Sequence, residues 1–268
     1  MKKKLLMVFQ RCCLFCLFFM LLLIPHGYAG ETLGFSTSAQ LFDIFQGDVL
    51  KQFQDQTGIA IDHEITSSAA AMQRLFNGMC DVAGTAERVK HTMVDYGYTE
   101  IPICRAPLVV IANPGTSVDD ISQAELQAVF SGQITNWKAL GGKDAEIVVV
   151  VPGKDTAAMK NFSQLALKRF DVRYDIMTYR STMVVQIVSH IPGSISFITK
   201  GADARDKAVS IMKVDGRAHT DNAYPFSQNF SLVIKGKPDK TVGAFVDFMT
   251  SEKMKKKLTQ NGIAPRIP

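Results

Sequence analysis

Short apolar runs alternate with amphipathic helical patterns along most of this 268-residue chain. Residues 39–55 carry a large apolar side chain at every fourth position from Leu41 to Phe53, which predicts a helix with one buried face. Further helices are predicted at 69–77 and 242–258. Because strands that alternate with helices build a mostly parallel sheet, the sequence predicts an α/β fold. The predicted strands are 31–35, 59–65, 81–85, 108–111, 147–151, 195–198 and 231–234.

Two breaks divide this pattern. An Asn-Pro-Gly turn at 113–115 and the segment 222–225 both interrupt the alternation. Between them lies a self-contained stretch of strands and helices, and a strand and a helix follow the second break. We therefore predict one lobe from residues 30–113 plus 222–268 and a second, inserted lobe from residues 114–221. Two chain crossings between the lobes would form a natural hinge.

The first 29 residues have the layout of a secretory signal. Three lysines at positions 2–4 and Arg11 form a basic start, an apolar run follows at 14–24, and Ala29 ends a stretch that contains small residues. The apolar run is shorter than a membrane span requires, so we predict a signal peptide over residues 1–29 that is cleaved on export. An uncleaved N-terminal anchor is the alternative.

The charge of the chain belongs largely to this signal. Removing residues 1–29 would lower the formal net charge from +5 to +1, because the segment holds four basic residues and no acidic ones. The remaining charge gives no case for a nucleic-acid partner. A bound anion would be held by local geometry rather than by the field of the whole protein.

Cys80 and Cys104 are the two cysteines that lie beyond the predicted signal. Exported proteins meet an oxidising compartment, so a disulfide between these two is possible. Two buried thiols that never meet are the alternative, since sequence does not supply the separation of their Cβ atoms. The histidines are scattered and no His or Cys spacing matches a metal site, so we expect neither a metal nor a cofactor.

Hydroxyl side chains come directly before three predicted helices, at 36–38, at 66–68 and at Thr156. A helix start offers unpaired backbone N–H groups and the positive end of the helix dipole, and hydroxyls add neutral donors. Three such starts that converged on one point would bind an anion without a large positive charge. Serine and threonine are also common helix caps, so any one of these runs alone fits a purely structural role.

Residues 130–142 read FSGQITNWKALGG. This segment resembles the FSGxITNWxxLGG signature of phosphate-binding periplasmic proteins, the PstS-like group. Further segments resemble the same family in the same order: LFNGMCDVAG at 75–84, VVQIVSHIPGSISF at 184–197 and the closing segment 224–265. The resemblance implies a two-lobed, periplasmic-binding-protein-like fold of type II, with mostly parallel sheets and a hinge between the lobes.

The resemblance also implies three loops that hold an anion between the lobes. The family's third loop usually carries a Gly-Ser-Gly-Thr run next to a basic residue, whereas here only Thr156 keeps a hydroxyl and Pro152 stands near the expected basic position. The residues that match the three loops are Phe35, Ser36, Ser67, Ser68, Lys154, Asp155 and Thr156.

The chain also departs from the family after Val82, where the family often has a Ser-Ser-Arg or Ser-Asp element and this chain has Thr-Ala-Glu-Arg at 85–88. An ionised acidic side chain near the ligand accepts a hydrogen bond and so favours a protonated phosphate, which has an O–H to donate, while an arginine offers two parallel donors. Glu87 and Arg88 are candidates for these roles, or they form a surface ion pair. Arg180 is a second candidate for the cation, or it is an arginine that faces solvent. With their neighbours, the added candidate site residues are Thr85, Glu87, Arg88, Arg180 and Ser181.

The function that the resemblance implies is capture of phosphate or a similar oxyanion for an ABC permease of the inner membrane. The protein would act in the periplasm as a monomer and close around its ligand at the hinge. A periplasmic sensory receptor on the same scaffold, with altered or lost specificity among phosphate, molybdate, tungstate and sulfate, is the alternative. An enzyme is not expected, because the chain lacks a Gly-x-Ser-x-Gly elbow, an HExxH pair and a Walker loop.

Overall fold

Strands and helices alternate through the described part of the chain. The computed structural model describes residues 31–45, 48–87, 89, 91–154, 156–168, 171–178, 181–200, 208–221 and 223–266. The predicted signal peptide at 1–29 lies outside the described residues, as do the candidate site residues Arg88, Asp155 and Arg180. The strands are β1 (Thr32–Ser38), β2 (Ala60–Thr66), β3 (Val82–Thr85), β4 (Tyr98–Ala112), β5 (Asp120–Ile121), β6 (Val148–Pro152), β7 (Ile176–Thr178), β8 (Ser194–Thr199), β9 (Ser210–Ile211), β10 (Lys213–Val214), β11 (Ser227–Lys235) and β12 (Ala264–Pro265).

The helices connect these strands in the order that the sequence predicts. Two short 3₁₀ turns, Pro114–Thr116 and Trp137–Leu140, accompany them. Within the described residues, no helix combines the length and the apolar character that a membrane crossing needs. The helices are α1 (Ala39–Phe45), α2 (Asp48–Thr57), α3 (Ser68–Phe76), α4 (His91–Val94), α5 (Gln123–Phe130), α6 (Ala157–Leu165), α7 (Ser181–His190), α8 (Lys240–Met249) and α9 (Glu252–Gln260).

The long strand β4 carries the chain from one lobe to the other. The sheet runs in the order β2-β1-β3-β11-β4-β8-β6-β7. The first part of β4, up to Pro107, pairs with β11, and its last part, from Leu108, pairs with β8. The returning chain crosses beside it, where the N–H of Leu108 donates to the carbonyl of Phe226 at 3.0 Å. β4 and β11 are antiparallel to their neighbours, whereas β1–β3 and β6–β8 hold the expected parallel pairings.

Each lobe has its own apolar core. In the lobe built from both ends of the chain, the rings of Phe53 and Phe245 are fully buried with their centroids 5.2 Å apart. In the inserted lobe, Phe162 and Phe197 stack at 3.7 Å. Burying one such side chain contributes roughly 1.5–3 kcal/mol. The predicted stripe at 41–53 faces the first core, because its four large apolar side chains are all buried.

Several elements differ from their predicted bounds. The predicted helix 39–55 corresponds to α1 and α2, and residues 46–47 between them lie outside the described part of the chain. The predicted helix 242–258 forms two helices, α8 and α9, and this division has a local cause, since the Ser251 hydroxyl accepts from the N–H of Met254 at 3.4 Å and starts α9. β4 begins at Tyr98 rather than at 108, because prolines within its first part obscure the strand pattern.

The FSGQITNWKALGG segment builds a connection between α5 and β6. Trp137 is fully buried, and its indole N–H donates to the carbonyl of Gly193 at 2.8 Å. The same carbonyl accepts from the N–H of Val148 at 3.1 Å, at the start of β6. A Cβ atom at Gly193 would collide with the carbonyl of Glu146, so this position requires glycine. The motif therefore stabilises the inserted lobe through buried contacts.

Cys80 and Cys104 are free and buried, so the possible disulfide between them is not formed. Cys80 packs in a cluster under α3, while Cys104 lies in the core of the first lobe. Cys80 lies just before β3 and Cys104 lies in β4, and β11 runs between these two strands, whose axes are therefore about 10 Å apart. A disulfide needs Cα atoms within about 7 Å. Burial raises the pKa of both thiols, and both therefore stay protonated.

Candidate functional site

The start of α3 is attached to the residue that follows β3. Ser67 caps the helix, because its hydroxyl accepts from the N–H of Ala70 at 3.1 Å. The Ser68 hydroxyl accepts from the N–H of Ala86 at 3.0 Å, and Ser68 is buried. A hydroxyl that accepts one hydrogen bond still has its own hydrogen to donate. The second predicted loop therefore places one partly exposed and one buried hydroxyl at a helix start.

β1 continues to Ser38, so the loop that follows it begins later than the predicted match at Phe35 and Ser36. The ring of Phe35 lies in the core, 4.9 Å from that of Phe245, so its side chain does not reach a ligand site. Ser36 lies in mid-strand, and its buried hydroxyl has no partner in the described part of the chain. The strand ends at Ser38, whose hydroxyl accepts from the N–H of Leu41 at 3.3 Å and starts α1.

Thr37 and Ser38 belong to the predicted hydroxyl run at 36–38, although they were not among the residues matched to the family's first loop, and they close this strand. Thr37 pairs with Gly84 of β3, and an added Cβ at Gly84 would lie 3.0 Å from the Cβ of Thr37 and 2.8 Å from Leu41 Cδ2. The end of β1 therefore fits closely against the end of β3. Ligands of α/β sheets bind outside the carboxyl ends of the strands, a rule that points to Ser38 ahead of Phe35.

The residues after β3 form a tight turn. The Thr85 hydroxyl accepts from the N–H of Glu87 at 2.9 Å and is buried, so it shapes this turn. The Glu87 carboxylate pairs with the ammonium of Lys160 on α6 at 3.0 Å. Of the two roles considered for Glu87, the structure shows an ion pair, and its partner is Lys160 of the other lobe. Arg88 lies outside the described residues.

The start of α6 forms the third predicted loop. The Thr156 hydroxyl accepts from the N–H of Met159 at 3.2 Å and donates to the carbonyl of Gly153 at 2.7 Å. Its hydrogen is therefore used within the loop, and the first-turn N–H groups of α6 are the donors that remain. Lys154 is exposed, with its ammonium 5.5 Å from the centre of the Tyr174 ring.

Ala157 and Ala158, which stand where the family's run usually reads Gly-Thr, have a packing role. Ala157 is 1% exposed and lies in the core cluster of the first lobe, although α6 belongs to the inserted lobe. Ala158 is equally buried, in the cluster of the inserted lobe. Small side chains at these positions let the start of α6 approach the end of β3 closely.

The start of α3 and the second turn of α6 meet at one residue. The Asn161 side chain on α6 donates to the carbonyl of Ala86 at 3.2 Å, while the N–H of Ala86 donates to Ser68 at the start of α3. The start of α1 lies alongside, through the pairing of β1 with β3. Together, these starts present backbone donors and positive dipole ends around the carboxyl ends of β1 and β3.

The last predicted loop precedes α7. The helix begins at Ser181, but its side chain and Arg180 lie outside what the structure describes. Among the described residues, no cluster of three His, Cys, Asp or Glu side chains could hold a metal ion.

Comparison with known proteins decides the family. A family model described as a PBP superfamily domain matches residues 27–253. The chain belongs to the PBP superfamily. The family and the two-lobed α/β fold that the sequence predicted are confirmed.

Two kinds of relative illustrate this membership. The phosphate-binding protein PstS of Borreliella burgdorferi is 24% identical over 219 residues, which cover 76% of this chain and 78% of the relative. A Clostridium perfringens protein, solved with bound phosphate and described as a phosphate ABC transporter substrate-binding protein, superimposes with a TM-score of 0.79, at 22% identity, over 88% of this chain and 99% of the other. A phosphate transport receptor of Vibrio cholerae gives a TM-score of 0.72 at 22% identity, over 87% and 99%. These structures share the PBP fold of this chain.

Proposed function

We propose that this PBP-family chain is an exported solute-binding protein that holds phosphate between its two lobes. The observation that carries the proposal is the meeting of the start of α3 and the second turn of α6 at Ala86, one helix from each lobe. The names of the relatives support phosphate as the anion, since they are phosphate-binding proteins and phosphate transport receptors. Binding, with no covalent chemistry, is the role that this proposal assigns.

The proposed donors are neutral. The Ser67 hydroxyl, the Ser38 hydroxyl and the first-turn N–H groups of α3 and α6 would surround the anion, and helix dipoles would favour its charge. Because the Thr156 hydrogen is donated to Gly153, Thr156 would act by holding the loop and not by direct donation. Ser68, Thr85 and Glu87 would support the site through their contacts around Ala86 and α6, without touching the anion. The remaining candidates stay predictions: Arg88, Asp155, Arg180 and Ser181.

Ligand capture would close the lobes about the two chain crossings. The strand pairing supports a hinge at 107–108 and 226–227, between the two separate cores, close to the proposed lobe boundaries at 113–114 and 221–222. A ligand that touches both lobes stabilises the closed state through contacts that are absent when the lobes separate. The closed protein, a periplasmic monomer released from residues 1–29, would deliver its anion to an ABC permease.

A thermal-shift and calorimetry series with phosphate, sulfate, molybdate and tungstate tests this proposal. At a concentration of one hundred times Kd, a bound anion stabilises the folded state by about 2.7 kcal/mol, which a melting curve resolves. We expect phosphate to give the largest shift. Absence of any shift at millimolar phosphate, with calorimetry equally flat, would refute phosphate capture.

A sensory receptor on the same scaffold is the second candidate. The observation that favours it is the third loop, where the only hydroxyl, that of Thr156, donates to its own loop. Such a receptor would show weak or altered selectivity within the same anion series. Strong selectivity for phosphate would exclude it.

A further inference from the structure

One side chain joins the two lobes beneath the proposed anion site. Asn161 lies in the second turn of α6, next to Phe162, which is buried in the core of the inserted lobe. Its amide nitrogen donates to the carbonyl of Ala86 at 3.2 Å and to Gln228 Oε1 at 2.7 Å. Ala86 follows β3 and Gln228 lies in β11, so both acceptors belong to the other lobe.

The direction of these hydrogen bonds is determined by their partners. A backbone carbonyl only accepts, so the nitrogen of the Asn161 amide must face Ala86. The same nitrogen then requires the oxygen of the Gln228 amide, which leaves the Gln228 nitrogen to donate to the hydroxyl of Thr199 at the end of β8. Gln228 is 3% exposed and Thr199 is 8% exposed, so this chain of donors is shielded from water.

Asn161 also connects α6 to the start of α3. The carbonyl of Ala86 accepts from Asn161, and the N–H of the same residue donates to Ser68. One short link, Asn161–Ala86–Ser68, thus runs from α6 to the start of α3. Movement of Asn161 away from Ala86 would widen the space between the donors proposed to hold the anion.

We infer that Asn161 is a positioning residue whose amide holds the two lobes together and sets the width of the anion site. The inference deepens the proposed function and rests on it for the identity of the ligand. The neighbouring contact between Lys160 and Glu87 is a weaker candidate for this role. Its side chains are 45% and 33% exposed, so solvent and salt screen the attraction between them.

The test compares Asn161→Asp with Lys160→Met in the otherwise intact protein. Aspartate has nearly the size of asparagine, but its carboxylate has no hydrogen to donate and would face two oxygens. We expect Asn161→Asp to weaken phosphate binding about tenfold to a hundredfold by calorimetry. Lys160→Met should change the phosphate affinity less than about threefold, because an exposed ion pair contributes little. The effect of this substitution should be smaller still in about 0.5 M salt, which screens the pair.

Two further readouts separate positioning from a general loss of structure. Small-angle scattering without any anion should show a larger radius of gyration for Asn161→Asp than for the wild-type protein and Lys160→Met. The binding defect relative to wild type should shrink between pH 7 and pH 5, since a protonated carboxyl group regains one donor. A defect caused only by misfolding would not recover in this way, and melting curves identify it directly.

The outcomes are distinct from those for the proposed function. Absence of phosphate binding by the wild-type protein refutes phosphate capture, whereas scattering without anion still tests Asn161. Equal radii for the three proteins, or equal phosphate affinities, would overturn the inference. A phosphate-binding defect of Asn161→Asp that is equal at pH 7 and pH 5 would also overturn the inference.

Discussion

Replacing Ser68 by alanine tests the attachment of α3 to the end of β3. Ser68 is 1% exposed and Ala86 is 5% exposed, so their hydrogen bond of 3.0 Å is shielded from water. The substitution leaves the N–H of Ala86 without an acceptor in a buried site, which costs about 1–3 kcal/mol. For a domain of this size, the melting temperature falls about 2–4 °C for each kcal/mol, so we expect a decrease of roughly 4–8 °C for a cost of about 2 kcal/mol.

Ser67→Ala is the matched control, one residue away. It removes the helix cap bond of 3.1 Å from a partly exposed position, a loss of about 1 kcal/mol. Because the Ser67 hydroxyl is proposed to donate to the anion, its loss should weaken phosphate binding more than the loss of Ser68 does. Ser68→Ala should therefore show the larger loss of stability, and Ser67→Ala the larger loss of phosphate affinity.

Urea denaturation monitored by circular dichroism gives the free energy of unfolding of both variants, and calorimetry gives their phosphate affinity. A stability loss for Ser68→Ala no larger than that for Ser67→Ala would contradict a shielded hydrogen bond between Ser68 and Ala86. A larger loss of affinity in the Ser68 variant than in the Ser67 variant would make the buried hydroxyl the direct ligand contact and would contradict the role proposed for Ser67.

Three further perturbations address other parts of the molecule. Thr156→Val should lower the stability by about 1 kcal/mol through the lost helix cap and weaken phosphate binding through a misplaced loop, and unchanged values in both assays would remove Thr156 from the site. Trp137→Phe should lower the free energy of unfolding by about 0.5–1.5 kcal/mol, because the buried carbonyl of Gly193 loses its indole donor and keeps the N–H of Val148; a cost below about 0.5 kcal/mol would contradict this. Burial, and next the nearby Lys200 ammonium, hold the pKa of His219 below its ordinary value. The unfolded chain therefore binds the proton more readily, so the stability due to His219 is complete above about pH 6.5 and is lost as the pH falls below it, and His219→Gln should flatten that part of a urea denaturation series.

The candidate site shows where local patterns stop being informative. The three hydroxyl runs predicted helix starts correctly, since caps depend on neighbouring residues, and Ser67 and Thr156 do cap α3 and α6. Strand register lies beyond such patterns, and it turns the Phe35 ring into the core and leaves Ser38, the last hydroxyl of the run at 36–38, at the strand end. Phe35 and Ser36 stay predictions as ligand contacts, and the rule that ligands meet strand ends favours Ser38.

Sequence alone determined the α/β pattern, the buried stripe at 41–53 and the family, because periodicity and short motifs depend on residues close together in the chain. The two cysteines show the limit of that information, since a plausible pair proved to be separated by β11. Only the tertiary structure brought Asn161 to Ala86 and Gln228, which lie 75 and 67 positions away. Contacts at such separations follow from the packing of two lobes, and no local propensity specifies them.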